Sequence, residues 1–208
     1  MLTELRFMLG RLRGRILGWG IGLGLYSLLM VSLYKDVSKI DVQTYMEAFP
    51  KEMMAFFEGM AELATPQGYL DTYYFNYMTL IIGILAIGVG AGLLVNDEER
   101  GILDLVLAHP IGRTALFWGR YLALALALAI VMLAGQLGWM LPPQSAELGL
   151  SWVEFLMPCL PLYAVLLLFG SLALLLSMLL PSSRLASALS GALLVANYLL
   201  VGLANINA

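Results

Sequence analysis

Charged side chains are scarce in this sequence. Only 12% of its 208 residues are Asp, Glu, Lys or Arg, whereas a soluble domain carries roughly a quarter. Hydrophobic residues make up 61% of the chain, and the mean hydropathy is +0.88. So few charges cannot coat a water-facing surface of this size, so an ordinary soluble domain is excluded and lipid is the solvent that fits.

Residues that carry chemistry are equally scarce. Cys159 is the only cysteine and His109 the only histidine, which excludes an internal disulfide framework and a metal cluster. The sequence contains no Gly-x-x-x-x-Gly-Lys-Ser/Thr loop, so it cannot hydrolyse ATP by the usual route. The net charge of −3 gives no footprint for nucleic acid. We therefore predict no catalytic residue, no cofactor bound by this chain, no metal and no nucleic-acid partner.

Long apolar stretches are what the sequence does contain. Five of them can cross a bilayer as helices, since a span needs about 20 apolar residues. We predict an all-α fold in one domain, residues 1–208: a polytopic membrane helical bundle with spans near 16–33, 77–95, 117–141, 155–180 and 185–203. Arg120, at the start of the third span, is the only charged residue in any of them.

The basic residues predict the orientation of the bundle. With the N-terminus in the cytoplasm, eight of the eleven fall inside and only three lysines fall outside, as the positive-inside rule requires. The inner residues are Arg6, Arg11, Arg13, Arg15, Arg100, Arg113, Arg120 and Arg184, and the outer ones are Lys35, Lys39 and Lys51. We also expect Trp118 and Trp139 to lie at the two bilayer interfaces.

Glycines at four-residue spacing predict close helix packing. Gly10, Gly14, Gly18 and Gly22 follow one face of the first span, and two further pairs repeat the spacing, Gly20 with Gly24 and Gly88 with Gly92. Small residues let membrane helices approach each other and gain dispersion contacts. We expect packing inside the bundle, and the alternative is a helix pair between two copies of the chain.

The segment between the first two spans, residues 34–76, is the one sizeable extramembrane stretch. After Pro50 its apolar residues recur at helical spacing, which predicts an amphipathic outer-loop helix. We expect Thr65-Pro66-Gln67-Gly68 to end that helix. The tyrosines that follow are interpreted as an interfacial belt: Tyr69, Tyr73, Tyr74 and Tyr77.

Residues 96–113, between the second and third spans, carry the functional argument. Asn96 followed by Glu99 has the capping-box pattern, and Pro110 disfavours helix at the residue before it. The pattern predicts a helix over residues 97–109, about three turns long and too charged to span. It must lie along the cytoplasmic interface with its apolar side buried.

This segment resembles the coupling helix of permease subunits in type-2 exporter-class ABC transporters, most closely those of antibiotic and multidrug efflux systems. The resemblance extends to the basic lead-in, the long outer loop and the short later loops. It implies a coupling helix that rests on a cytoplasmic ABC ATPase subunit. The implied ATPase-binding residues are Glu98, Glu99, Arg100, Gly101, Leu103, Leu107, Pro110 and Arg113.

The resemblance also implies a multi-pass export subunit in a bacterial or archaeal plasma membrane. ATP would act through the partner subunit, and a second permease copy, identical or different, would complete the complex among membrane lipids. The family has six spans, so with five we expect a missing last helix, through truncation, a shortened gene product or an atypical member. The substrate would be amphipathic or hydrophobic. An ion-coupled secondary transporter and a non-transporting scaffold remain the alternatives.

Overall fold

Helices account for the regular structure of the part of the chain that the computed structural model describes, which is residues 1–39, 65–99, 101, 112–143 and 145–206. The elements are α1 Leu2–Val37, α2 Pro66–Leu70, a π-helical segment Asp71–Asn76, α3 Tyr77–Ala91, α4 Val95–Glu99, α5 Arg113–Met140, α6 Ser145–Leu148, α7 Trp152–Leu156, α8 Cys159–Leu179 and α9 Ser183–Ile206. The predicted all-helical class is confirmed.

Five of the described helical stretches are long and apolar enough to cross a membrane, in agreement with the prediction. They are Leu2–Val37, Pro66–Ala91, Arg113–Met140, Trp152–Leu179 and Ser183–Val201. The edges differ most at the first span, where the basic lead-in is also helical. With 36 residues, α1 is about 54 Å long at 1.5 Å per residue. It therefore extends beyond a hydrocarbon core of about 30 Å.

The second span begins earlier than predicted, because Thr65 starts a helix there. Its hydroxyl accepts a hydrogen bond from the Gly68 backbone N–H at 3.1 Å, and Pro66 occupies the first turn, where its missing N–H costs nothing. Whether these residues also end the predicted outer-loop helix stays a prediction, because the residues before Thr65 lie outside the described part of the chain. The predicted outer-loop helix after Pro50 lies outside the described residues.

Several aromatic side chains that were expected at the bilayer interface are buried in the core of the bundle. Tyr69, Tyr74 and Trp139 are each at most 1% exposed. The Trp139 ring lies 6.0 Å from that of Tyr69 and 6.1 Å from that of Tyr74, both in edge-on geometry. These three side chains therefore pack against other helices, whereas Trp118 is exposed. Their predicted depth at the bilayer interfaces stays a prediction.

The spans pack as two groups. Helix α1 runs along α5, while α3 packs on α8 and α9. Within each group, glycines let the helices approach closely. A methyl group at Gly138 would lie 2.6 Å from the Gly24 carbonyl oxygen, and one at Gly90 would overlap the Gly170 backbone. Close approach at small residues is thus the packing device in each group, as expected for a membrane bundle.

The glycine stripe singled out from sequence faces outward. A methyl group at Gly14, Gly18, Gly22 or Gly88 would meet no described atom within 4 Å, and one at Gly92 would meet the Asn96 side chain. The internal contacts of α1 come from Gly20 and Gly24 instead, which lie on nearly the opposite side of the same helix. Packing of the outer stripe between two copies of the chain stays a prediction.

Candidate functional site

A buried arginine joins three parts of the chain at the end of the bundle where α1 begins. The guanidinium of Arg120, on α5, donates from Nε to Glu4 Oε1 at 2.9 Å and from Nη2 to Asp97 Oδ2 at 2.6 Å. Its Nη1 donates to the Leu93 carbonyl oxygen at 2.9 Å. Arg11, from α1, donates to the other Asp97 oxygen at 2.7 Å. We call Glu4, Arg11, Asp97 and Arg120 the ion cluster.

The charges of the ion cluster balance, and three of its four side chains are almost fully removed from solvent. The Arg120 and Asp97 side chains are 1% exposed, Glu4 is 7% exposed and Arg11 is 27% exposed. Two acids balance two bases, and each bond is charge-assisted, which makes burial tolerable. Removing one member would leave an uncompensated charge in a poorly solvated place, so the cluster fixes α1, α4 and α5 relative to one another.

The Asp97 carboxylate is held in its ionised form. Burial by itself would raise its pKa, but hydrogen bonds from Arg11 and Arg120, together with the charges of both, outweigh burial and lower the pKa below its ordinary 3.8. The stabilisation is therefore complete above pH 3.8 and is lost only as the pH falls through the lowered value. The Asp97 carboxylate therefore stays ionised at physiological pH.

Glu99 makes a second link, to a different helix. Its Oε1 accepts from the Ser183 backbone N–H at 2.8 Å, and its Oε2 accepts from the Ser183 hydroxyl at 2.9 Å. Ser183 is the first residue of α9, where the helix dipole favours an anion. These backbone and side-chain hydrogen bonds lower the pKa of Glu99. The carboxylate that was predicted to close a capping box with Asn96 binds the last span instead.

A groove of about 660 Å³ lies beside these links. Its walls come from α4, from the start of α5 and from the end of α8. The lining residues are Leu94, Val95, Glu98, Glu99, Arg113, Leu116, Phe117, Ser177, Met178, Leu180 and Pro181. The groove thus has a largely apolar floor and charged groups of both signs. Among the described residues no group of three or more His, Cys, Asp or Glu side chains could hold a metal ion.

Comparison with known families assigns the chain. The family described as "ABC-2 family transporter protein" matches residues 13–207, which is nearly the whole sequence. The protein is an ABC-2 family transporter. No curated protein and no solved structure gave a significant match. Membership makes the chain a membrane permease of an ABC transporter, a transport subunit of a kind that pairs with an ABC ATPase.

Within this ABC-2 permease, three of the predicted ATPase-binding residues line the groove described above. They are Glu98, Glu99 and Arg113, brought together from α4 and α5. Gly101 is described as well, with a left-handed φ of +67°. A helix ends readily at such a glycine, and α4 ends at Glu99. The predicted continuous helix over residues 97–109 is therefore broken near its start.

The remaining predicted ATPase-binding residues of the permease lie outside the described part of the chain. They are Arg100, Leu103, Leu107 and Pro110. Their expected role stays a prediction.

No role was predicted from the sequence for Glu4 or Asp97, and Arg11 was used only to predict the orientation. Arg120 was the available signal. A lone charge at the edge of a predicted span needs a partner, because ionisable groups in membrane segments are costly unless paired. Nothing in the sequence spacing identifies those partners, because they lie 23 and 116 residues away.

Proposed function

We propose that this ABC-2 permease exports an amphipathic or hydrophobic molecule, driven by ATP hydrolysis in a separate subunit that docks on residues 98–113. The observation that carries the proposal is the ion cluster at the root of that segment. A force applied to the segment reaches α5 through the buried Asp97–Arg120 pair, and it reaches α1 through Glu4, which Arg120 also binds. Such a rigid connection is what a docking element needs in order to move a bundle.

Residues 98–113, the proposed docking segment, carry side chains suited to binding a protein partner. Glu98 and Arg113 are exposed and present opposite charges on the groove, above apolar residues such as Phe117 and Met178. Charged groups around an apolar floor favour a specific partner over lipid, because they remain hydrated until complementary charges meet them. As the resemblance implies, we assign contact with the ATPase subunit to the other predicted residues of this segment as well, which are Glu99, Arg100, Gly101, Leu103, Leu107 and Pro110.

Charge reversal at the groove should separate the permease from its ATPase. With candidate ABC ATPase subunits co-expressed and the permease tagged, Glu98→Lys and Arg113→Glu are expected to lower ATPase recovery about tenfold each, the equivalent of about 1.4 kcal/mol. Lys39→Glu, a reversal at the opposite end of the bundle, is the matched control and should recover as much ATPase as the wild type. Equal recovery from all four proteins, with unchanged melting temperatures, would contradict docking at this groove.

The energy source separates this proposal from ion-coupled transport. In vesicles holding the permease and its ATPase, uptake of an amphipathic dye into inverted vesicles should require ATP and should persist when a protonophore collapses the proton gradient. Uptake driven by a proton gradient without ATP would contradict the proposal. If no candidate substrate alters the rate of ATP hydrolysis and no dye is taken up, the result would favour a non-transporting scaffold subunit.

The orientation has its own test. In a Cys159→Ser background, the Lys39→Cys variant is expected to react with a membrane-impermeant maleimide in intact cells. The Thr3→Cys variant should react only after lysis. Both positions are exposed and lie at opposite ends of α1. We infer a cytoplasmic N-terminus from the arginine distribution, so reaction at Thr3 in intact cells would overturn it.

A further inference from the structure

A second groove, of about 540 Å³, runs along the outer side of α1. Most of its lining comes from α1, and α3 contributes Met78 and Ile81. Three of the α1 residues in the lining are the glycines Gly14, Gly18 and Gly22, where a methyl group would meet no described atom within 4 Å. The groove thus exists because these positions carry no side chain. We call it the α1 groove.

The dimensions of the α1 groove match a single hydrocarbon chain. From Arg15 to Tyr26, which both line it, the helix rises about 17 Å at 1.5 Å per residue. One leaflet supplies about half of a hydrocarbon core of about 30 Å. Over that length a volume of about 540 Å³ corresponds to a mean cross-section on the order of 30 Å². A helix with its side chains is about 10 Å across and needs more than twice that area, whereas an acyl chain is a single file of methylene groups.

Positive charge lies at one end of the α1 groove. Among the described residues that line it, Arg15 is the only charged one, and its side chain is exposed. No acid in the described part of the chain pairs with Arg15, whereas Arg11, one turn earlier, binds Asp97. The predicted first span begins just after Arg15, so its guanidinium lies at the depth of the lipid headgroups. An unpaired guanidinium there complements the phosphate of a lipid whose acyl chain lies in the groove.

Two aromatic side chains line the α1 groove beyond the arginine. Trp19 lies one turn further along the helix, and no described residue accepts a hydrogen bond from its indole N–H. The ester oxygens of a glycerolipid lie just below its phosphate and can accept that bond. Tyr26 lines the far end, where its hydroxyl already donates to the Tyr73 carbonyl oxygen. A cation, an N–H donor and an apolar end therefore follow each other in the order of phosphate, ester and acyl chain.

We propose that the α1 groove binds one anionic phospholipid of the cytoplasmic leaflet, with its phosphate at Arg15 and one acyl chain running past Gly18 and Gly22 to Tyr26. A zwitterionic headgroup would add an ammonium group, and no acid among the described lining residues is there to receive it. The lipid packs between α1 and α3, which have little direct contact with each other. The inference does not depend on the ATPase, so it is tested apart from the proposed function.

Native mass spectrometry of the full chain in mild detergent tests the charge. Delipidated wild type should bind one phosphatidylglycerol per chain and prefer it to phosphatidylcholine about fivefold, the equivalent of about 1 kcal/mol for one arginine at a membrane surface. Arg15→Gln should abolish the preference, and Arg15→Lys should keep most of it. Arg13→Gln is the matched control, because Arg13 is exposed on nearly the opposite side of α1. Equal losses in Arg13→Gln and Arg15→Gln would overturn the site.

Filling the α1 groove tests the acyl chain. Gly18→Leu is expected to weaken phosphatidylglycerol binding by at least about tenfold, since losing the burial of two methylene groups already has that effect. It should also remove the rise in melting temperature that the lipid gives the wild type. Gly88→Leu, at an exposed glycine of α3 outside the groove, is the matched control and should bind as the wild type does. Undiminished binding by folded Gly18→Leu would overturn the proposal, and Gly22→Leu replaces it should it not fold.

Two other occupants of the α1 groove would be recognised in the same experiments. A wild-type dimer without lipid that Gly18→Leu converts to monomers would make the groove an interface between copies and overturn the lipid site. Displacement of phosphatidylglycerol by the transported dye would assign the groove to the substrate path and would overturn a resident phospholipid. Both results leave the docking of the ATPase untouched. Loss of ATPase docking, in turn, would leave the lipid measurements unchanged.

Discussion

Replacing Arg120 with methionine is expected to lower the free energy of unfolding by about 3–5 kcal/mol, the cost of breaking a buried ion pair on one side. Methionine fills much of the same volume but donates no hydrogen bond. Glu4 and Asp97 would be left buried without their main partner, and the Leu93 carbonyl would lose its donor. Thermal or denaturant unfolding in detergent measures the loss.

Two comparisons show whether the loss comes from the ion cluster. Arg13→Met removes the same charge from an exposed position on α1 and should change stability by less than about 0.5 kcal/mol. Adding Glu4→Gln and Asp97→Asn to Arg120→Met should recover part of the stability, because no carboxylate then remains buried without a partner. A triple variant less stable than the single one would contradict the pairing.

Gly90→Ala is expected to separate two spans. A methyl group there would lie 2.9 Å from the Gly170 carbonyl carbon and closer still to its oxygen, and backbone cannot move aside as a side chain can. The substitution should therefore destabilise the protein by about 1–3 kcal/mol through overpacking, despite the better helix propensity of alanine. The same unfolding measurement detects it, with lower recovery of folded protein as a second sign.

Gly88→Ala is the matched control for this effect. It lies two residues earlier on α3, on the exposed face, where a methyl group meets no described atom within 4 Å. Alanine should leave stability unchanged or raise it by about 0.5–1 kcal/mol, since it restricts the unfolded chain more than glycine does. Equal effects of the two substitutions on stability would contradict the close approach of α3 and α8 at Gly90.

Local composition was enough to predict where the spans are. Each is a run of apolar residues whose preference for lipid does not depend on its neighbours, so all five were found, with errors only at their ends. Those errors have local causes as well. The hydroxyl of Thr65 and the ring of Pro66 begin a helix where the pattern was interpreted as a stop. The basic lead-in of α1 is helical because it contains no proline, and its two glycines do not suffice to end a helix.

Contacts between spans were not predictable in the same way. The sequence shows two interleaved sets of glycines on α1, with the same spacing, and only the packing of α5 decides that Gly20 and Gly24 face inward while Gly14, Gly18 and Gly22 face outward. Tyr74 and Trp139 have the composition of an interfacial belt, yet they are buried because the π-helical segment and α5 meet there.

The sequence by itself determined that this protein lies in a lipid bilayer, how many candidate spans the described chain has and which family it belongs to. Each of these depends on composition and on the order of residues along the chain. The tertiary structure alone decided which charges pair. Arg120 and Glu4 are 116 residues apart, and Arg11 and Asp97 are 86 apart. Such partners are chosen by which helix ends the bundle brings together, since electrostatic attraction in a poorly solvated interior depends on position in space and not on separation in sequence.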